Sequence, residues 1–370
     1  MIRKLFHNLR TFDWYLIINI LLLMFFGLAA LYSLQINVIS PDFTLFLHQA
    51  VFLAVGLLIF FLVSLVNFHF WSDYYKIILF LSLLLLIGVL IVGVKIGGTT
   101  GWYNLAGQSF QPVELAKLAL VIFLSKYFSQ HAKEAGLTKY LIISGLVTGL
   151  LVFLVILQPD LGSAIILLAT WLVLVMLLPL RRKYFIGMFI ILILLMIISW
   201  FFILRDYQQE RILTFLSPQR DPLGTGYNVT QSIIAVGSGR FFGRGLALGS
   251  QSQLNFLPTQ ETDFIFAVIA EELGILGAGI LLLLFLSLFG HLYSIVKTTT
   301  DSFGVFLTLG IITFLIIQLF VNIGMNMGVA PVAGLPLPLV SYGGSSLVTT
   351  LMALGIVHNI YLKNREKDYG

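Results

Sequence analysis

The sequence predicts an all-α polytopic membrane protein of about ten transmembrane helices, with a large ordered extracytoplasmic loop between helices 7 and 8. Of the 370 residues, 59% are hydrophobic and 10% are charged, and the mean hydropathy is +1.02. An ordinary soluble domain carries roughly 25% charged residues. The apolar residues occur in runs of about 20, which is the length that spans a bilayer core of roughly 30 Å.

The apolar runs are separated by polar residues, glycine or proline. The first run is too long for a signal-peptide core and lacks an Ala-x-Ala-like cleavage site, so we expect it to remain as a helix. The fourth and fifth runs are short, and they contain Lys117 and a pair of glycines. We expect residues 1–370 to form a single membrane domain. The predicted spans are residues 14–34, 47–67, 77–96, 113–128, 140–157, 161–180, 184–204, 263–289, 303–325 and 345–362.

Lysine and arginine set the predicted orientation because these residues are retained on the cytoplasmic side during insertion. Seven of the twenty-one basic residues lie outside the predicted cytoplasmic segments: Lys117 lies within a span, Lys95 lies in a short outer loop, and five arginines lie in the long segment 205–262. An even number of spans places both termini on the same side of the membrane, and the positive charges of the loops indicate that this side is the cytoplasm. With the N-terminus inside, fourteen of the twenty-one basic residues are cytoplasmic: Arg3, Lys4, Arg10, Lys76, Lys126, Lys133, Lys139, Arg181, Arg182, Lys183, Lys297, Lys363, Arg365 and Lys367.

Composition also argues against several classes of function. The net charge is +5, but the basic residues lie between apolar runs rather than on one solvated face, which argues against nucleic-acid binding. The absence of cysteine excludes disulfides, thiolate nucleophiles and Cys-ligated zinc. The six histidines lack metal-ligand spacing, so no dedicated metal site is predicted.

Three predicted outer segments differ from ordinary connectors. Residues 95–112 are rich in glycine, and residues 326–344 are apolar but broken by Pro and Gly. The loop 205–262 is long enough to be either functional or disordered. Residues 229–236 predict a short amphipathic helix at the membrane surface. The three segments share a compartment and could converge on one site. Apolar residues that could pack favour order in the loop: Ile212, Phe215, Leu216, Ile233, Ile234, Phe241, Phe242 and Leu254.

Ionisable residues near spans are functional candidates, because a charge in hydrocarbon costs several kcal/mol. Glu114 and Lys117 are three residues apart on one helix face and could pair; Lys117 could simply neutralise Glu114. Asp160 follows Gln158-Pro159 at a hinge between spans. Asp263 lies where the long loop enters the membrane, so it could act in catalysis or could only start the helix.

Glu271 and Glu272 lie about 12 Å deeper than Asp263 at 1.5 Å per helical residue. An internal hydrogen-bonded or ion-paired site is the favoured interpretation for them, and a polar transport pathway is the alternative.

The run 237–245 contains Gly-x-Gly-x-x-x-Gly, which does not match a dinucleotide or phosphate loop. Its arginines, Arg240 and Arg244, could contact a pyrophosphate, because the guanidinium group matches phosphate geometry. Solvated loop charges are an equally consistent interpretation.

Several blocks resemble the SEDS family of shape, elongation, division and sporulation proteins. They follow the family's order from residue 111 to the last predicted span, and residues 249–256 are more similar to the RodA elongation branch than to the FtsW division branch. The blocks are Gln111-Pro112-x-Glu114-Leu115-x-Lys117, Gln158-Pro159-Asp160-Leu161-Gly162, Asp221-Pro222-Leu223-Gly224-x-Gly226-Tyr227, Phe256 to Phe266 with Thr262-Asp263-Phe264, Ala270-Glu271-Glu272-Leu273-Gly274, and Pro336 to Ser346 with Ser341-Tyr342.

The resemblance implies a peptidoglycan glycosyltransferase of the bacterial cytoplasmic (inner) membrane that uses lipid II, contacts membrane lipids and works with a class B penicillin-binding protein. It implies that Asp263 is essential and that Lys117 and Asp160 are important. Glu114, Ser341 and Tyr342 are further candidates for binding substrate. The family usually has Glu-x-His before Thr-Asp-Phe, whereas this chain has Thr259-Gln260-Glu261.

The predicted chemistry assigns Asp263 as general base toward the acceptor 4-hydroxyl, with inversion at the donor's anomeric carbon. Lys117, Arg240 and Arg244 would balance the pyrophosphate charge, and a divalent cation, Mg²⁺ or Mn²⁺, could share that task. Two other functions stay open: a lipid II flippase, and a non-catalytic scaffold that holds the transpeptidase.

Overall fold

The computed structural model describes residues 12–36, 42–105, 107–131, 137–217 and 224–368. The described residues form ten helices of at least 16 residues. They are α1 (Trp14–Ile36), α2 (Thr44–Leu65), α4 (Tyr75–Val92), α5 (Pro112–His131), α6 (Leu137–Leu157), α7 (Leu161–Met176), α8 (Arg182–Ile198, continued by a π turn at Ser199–Ile203), α12 (Ile265–Thr298), α13 (Ser302–Asn326) and α14 (Gly344–Asp368); α3 is the short helix His69–Asp73.

Among the described residues, eight helices are long and apolar enough to cross a membrane: α1, α2, α4, α6, α8, α12, α13 and α14. The prediction of an all-α polytopic membrane protein is confirmed. Two further predicted spans coincide with helices that differ in character. Helix α7 is apolar but has only 16 residues, and α5 contains Glu114, Lys117 and Lys126. The number of ten spans, and the orientation, therefore stay predictions.

Helix α5 is the most enclosed part of the bundle. Fourteen of its 20 residues are buried, and its side chains enter both large core clusters. One cluster is built mainly from α1, α2, α12, α13 and α14, and the other from α4, α6 and α7. Since protein surrounds α5 on most sides, its charged residues can be held away from lipid.

A small antiparallel sheet interrupts the helical bundle, which the sequence analysis missed. Its strands are β1 (Val94–Ile96), β2 (Thr99–Leu105) and β3 (Gln108–Phe110), in the order β1-β2-β3. Gly97 and Gly98 join β1 to β2 with φ of 57° and 88°. Positive φ at both central residues is the requirement of a type I′ two-residue hairpin turn, and glycine meets it without steric cost. The predicted third span, 77–96, therefore ended four residues too late, because helix α4 ends at Val92.

The long outer loop is ordered over its described part. It contains α9 (Asp206–Leu216), α10 (Thr225–Ser238) and α11 (Ser250–Gln253), so the short helix expected at 229–236 is present and longer. The expected packing of the loop's apolar residues was largely wrong, because six of the eight side chains are exposed. Residues 218–223, with Asp221-Pro222-Leu223, lie outside the described residues, as do Arg3, Lys4, Arg10 and Lys133. The exposed apolar side chains of the loop are Leu216, Ile233, Ile234, Phe241, Phe242 and Leu254.

Candidate active site

A cavity of about 540 Å³ lies where the first turns of α7 and α14 meet the segment that precedes α12. All three outer segments of the sequence analysis line it. The small sheet contributes Trp102 and Gln108, α9 contributes Tyr207 and Arg211, and the stretch before α14 contributes Pro331 and Ala333. The carboxylates of Asp160, Glu261 and Asp263 line the same space. The structure therefore brings the predicted Asp263 and Asp160 into one site.

Asp263 is fixed through its backbone. Its N–H donates to the carbonyl of Thr259 at 3.1 Å. Its own carbonyl accepts hydrogen bonds from the side-chain amides of Asn322 at 3.0 Å and Asn326 at 2.9 Å. Both asparagines are fully buried and lie one turn apart on α13. The backbone is thus held from the bundle side, and the carboxylate faces the cavity.

Asp263 does not cap helix α12. The N-cap residue is Phe264, and no side-chain hydrogen bond caps the helix there. Of the two interpretations left open by the spacing, a cap and a cavity carboxylate, the geometry favours the second.

Burial raises the pKa of Asp263 from 3.8 to about 6. The charge of Arg211 and a hydrogen bond from Thr262 act in the opposite direction, and the neighbouring carboxylates of Glu261 and Asp160 add to the increase. A general base works best when its pKa lies near the operating pH. At neutral pH this carboxylate is largely ionised and is basic enough to accept a proton from a hydroxyl group.

Asp160 both caps a helix and faces the cavity. One carboxylate oxygen accepts from the backbone N–H of Ser163 at 3.0 Å, which caps α7. The other accepts from the Ser163 hydroxyl at 2.8 Å and from the Gln111 amide at 3.2 Å. Burial raises the pKa of Asp160, although these hydrogen bonds and the charge of Lys117 oppose the increase.

Lys117 and Glu114 form a buried ion pair. The ammonium Nζ lies 2.8 Å from Oε2 of Glu114, and the two side chains are 1% and 4% exposed. Neither is among the described residues that line the cavity. The positive charge of Lys117 is nevertheless felt by Asp160. Lys117 therefore neutralises the charge of Glu114 within α5, which is the structural interpretation. Its charge also acts on Asp160 at the edge of the cavity.

Ser341 and Tyr342 join the segment before α14 to the segment before α12. The hydroxyl of Ser341 donates to the carbonyl of Thr262 at 2.6 Å and accepts from the N–H of Leu337 at 2.7 Å. The N–H of Tyr342 donates to the carbonyl of Glu261 at 2.9 Å, and its ring lines the cavity. Ser341 thus holds the residue next to Asp263 in place, whereas Tyr342 can also touch a ligand.

The arginine that lines the cavity is not one of the two that the sequence indicated. Arg240 and Arg244 are exposed and are not among the described residues that line the cavity. Arg211 lines it instead, and its guanidinium lies 5.8 Å from the ring centroid of Tyr207, one turn away on α9. Tyr207, Gln208 and Arg211 share one face of an amphipathic helix. That spacing was the signal in the sequence that could have identified Arg211.

The glycine-rich run that contains Arg240 and Arg244 closes a break in helix α12. At Gly274, where φ is 67°, the helix is interrupted and backbone groups lose their helical partners. The N–H groups of Arg244 and Gly245 donate to the carbonyls of Glu271 and Glu272, both at 3.0 Å. A Cβ at Gly243 would lie 2.0 Å from the carbonyl oxygen of Glu272. Glycine is required here for close backbone contact, and no anion is needed to explain the run.

Glu271 and Glu272 are internal anchors. Glu271 accepts hydrogen bonds from the N–H groups of Gln251 at 2.8 Å and Ser252 at 3.0 Å. Glu272 accepts from the hydroxyl of Ser33 at 2.6 Å, and both side chains are buried. Their partners fix the outer loop to α1 and α12, so the geometry favours the structural interpretation over a polar pathway.

Comparison with known proteins gives the same picture as the motifs. The family described as cell cycle protein, FtsW/RodA/SpoVE, matches residues 13–366. The chain belongs to this family. The FtsW/RodA/SpoVE family is the one that the sequence blocks indicated under its functional name, SEDS.

Individual members of the family are similar over most of the chain. The peptidoglycan glycosyltransferase MrdB of Escherichia coli K12 is 40% identical over 297 residues, which are 79% of this chain and 78% of MrdB. The crystal structure of RodA from Thermus thermophilus superposes with a TM-score of 0.70 at 30% identity, covering 95% of this chain and 96% of RodA. A chain from a peptidoglycan synthase complex gives a TM-score of 0.80 at 33% identity, covering 95% and 98%.

Glu261 adds a second carboxylate beside Asp263. It stands where the resemblance led us to expect histidine, and it lines the cavity. Its negative charge raises the pKa of Asp263 and of Tyr342, although burial is the larger cause in both cases. A histidine at this position would not add that negative charge.

Proposed function

We propose that this chain is a peptidoglycan glycosyltransferase that polymerises lipid II into glycan strands on the outer face of the bacterial cytoplasmic membrane. The observation that carries the proposal is the position of Asp263: buried asparagines hold its backbone carbonyl, and its carboxylate faces a cavity that Arg211 also lines. The glycosyltransferase activity named for MrdB supports it.

In the proposed reaction, Asp263 removes the proton from the 4-hydroxyl of the acceptor sugar. That oxygen attacks the anomeric carbon of the donor, forming a new glycosidic bond with inversion. The bond from the anomeric carbon to the pyrophosphate oxygen breaks, and undecaprenyl pyrophosphate leaves with the electron pair. Arg211 balances the charge that develops on the leaving group, because guanidinium groups bind phosphate oxygens in a bidentate manner.

The involvement of a divalent cation, Mg²⁺ or Mn²⁺, stays a prediction. The described ranges contain no group of three or more His, Cys, Asp or Glu side chains that could hold a metal ion.

Replacing Arg211 with Gln should reduce kcat/KM for lipid II by about a hundredfold, because removing one donor that stabilises transition-state charge costs roughly 10²–10³ in rate. The matched control is Arg240→Gln, which removes an exposed arginine outside the cavity and should leave the rate unchanged. The measurement is the initial rate of strand formation by purified protein. Equal losses in the two variants would show that Arg211 has no special role.

The pH profile gives a second test. The base must be ionised, so activity should be high above pH 6 and should fall as the pH decreases through the pKa of Asp263, which is about 6. Since the charge of Arg211 lowers that pKa, the acid limb should move to higher pH in Arg211→Gln. The profile of kcat/KM from about pH 3 to pH 8 measures the acid limb of the wild type and that of the variant. An acid limb near pH 4 would contradict the raised pKa.

One assay separates the enzyme from both alternative functions, the flippase and the scaffold. Detergent-solubilised protein given lipid II has no membrane to transport across, so a flippase makes no glycan strands there. A scaffold makes none either, and a loss of Asp263 would not affect its binding to a transpeptidase. Formation of strands, and their loss in an Asp263 variant, supports the enzyme.

The partner and the location are further parts of the proposal. The similar chain from a peptidoglycan synthase complex supports assembly with a class B penicillin-binding protein. The positive residues of the alternate loops support cytoplasmic termini in a multi-pass inner-membrane protein.

A further inference from the structure

Trp102 of β2 lines the same cavity as Asp263. Its indole N–H donates to the hydroxyl of Thr99 at 3.2 Å, and that hydroxyl donates to the carbonyl of Ile96 at 3.1 Å. The backbone of Trp102 pairs with Val94 in the β1–β2 ladder. The ring is therefore attached to the sheet through both its backbone and its indole nitrogen, and its orientation is set before any ligand enters.

The other aromatic rings of the cavity already have neighbours. Phe52 and Tyr342 lie 6.2 Å apart in a tilted pair. Tyr207 lies beside the guanidinium of Arg211, and its hydroxyl donates to the carbonyl of Pro159 at 3.2 Å. Within the described ranges, no aromatic ring or cation stacks on Trp102.

The wall around Trp102 is open. Gly97 and Gly107 line the cavity on either side of β2, and a Cβ at either position would meet nothing within 4 Å. Hydrogen-bonding groups of Gln108 and Ser109 lie along the same wall. A flat apolar surface with space above it and polar groups at its edge suits a hexose ring, which has C–H groups on its faces and hydroxyls at its rim.

We propose that Trp102 is the platform on which a hexose ring of the lipid-linked substrate stacks during the reaction at Asp263. This inference rests on the proposed function. The chemistry of the substrate sets its order in the site: the lipid tail stays in the membrane and the pyrophosphate lies at Arg211. The sugar then extends outward, between Asp263 and the small sheet.

Three full-length variants test the platform in the polymerisation assay. Trp102→Leu should raise the KM for lipid II about tenfold with little change in kcat, since an aromatic contact of this kind is worth about one order of magnitude in affinity. Trp102→Phe keeps a flat ring and should raise KM less than about threefold. The control is Trp14→Leu, at the opposite end of α1 from the cavity, which should retain the KM of the wild type.

A binding measurement without turnover tests the role of Trp102 separately from the glycosyltransferase activity. Calorimetric titration with a soluble disaccharide pentapeptide, which lacks lipid and pyrophosphate, should give a Kd about tenfold higher for Trp102→Leu than for the wild type. Thr99→Val removes the partner of the indole nitrogen and leaves the ring in place; it should raise Kd about threefold, and it decides the question if the leucine variant does not fold.

A wild type that polymerises lipid II, with Trp102→Leu unchanged in KM and Kd, overturns the platform and leaves the proposed function intact. A wild type that makes no strands but binds the disaccharide in a Trp102-dependent manner overturns the proposed function and supports the platform.

Discussion

Asp263→Asn should reduce polymerisation of purified lipid II by about 10³-fold, within the 10²–10⁴-fold range that general base catalysis supplies. Asparagine has the same shape as aspartate but cannot accept the proton of the acceptor hydroxyl. The contacts that hold residue 263 use its backbone N–H and carbonyl, and these are unchanged in the variant. The expected loss is therefore chemical and not structural.

The control for this variant is its stability. The half-buried carboxylate has a raised pKa, so at neutral pH its ionised form carries a desolvation cost that asparagine does not. The melting temperature of Asp263→Asn should equal or exceed that of the wild type. Strand formation at the wild-type rate by the folded variant would remove Asp263 as the base.

Lys117→Met should destabilise the protein by about 3–5 kcal/mol, because it leaves the carboxylate of Glu114 buried without its partner. The double variant Lys117→Met/Glu114→Gln removes both charges and should recover most of the stability. We expect its polymerisation to stay below that of the wild type, because the charge of Lys117 lowers the pKa of Asp160 at the cavity by more than the charge of Glu114 raises it.

Thermal unfolding and initial rates, measured on the same samples, separate the two roles of Lys117. Full activity in the stable double variant would mean that the ion pair serves the fold alone. Failure of the double variant to recover stability would mean that the cost comes from lost packing of the lysine stem.

Much of the fold was predictable because hydropathy decides it. Apolar runs identified the long helices, since hydrocarbon requires every backbone group to be bonded within its own segment. The small sheet was missed because the apolar run of α4 continues into β1, and periodicity does not distinguish a strand from a helix over three residues. The turn of Gly97 and Gly98 was the better signal.

Site residues that belong to sequence motifs could be predicted. Residues whose role depends on tertiary contacts could not. Asp263 and Asp160 were candidates from their positions at the ends of spans, and the family resemblance favoured both; the structure places both at the cavity. Arg240 and Arg244 were assigned to pyrophosphate because glycine beside arginine is typical of anion loops. The actual need for glycine there, contact with the broken helix α12, involves residues some thirty positions away, such as Gly243 and Gly274.

The most direct test of the account concerns the exposure of residue 263. The chain contains no cysteine, so Asp263→Cys introduces a single thiol. A thiol reagent that does not cross membranes, added to intact spheroplasts, should label this variant from outside, and an excess of soluble disaccharide pentapeptide should slow the labelling. Labelling that occurs only after the membrane is opened, or not at all in folded protein, would contradict an outward-facing catalytic carboxylate.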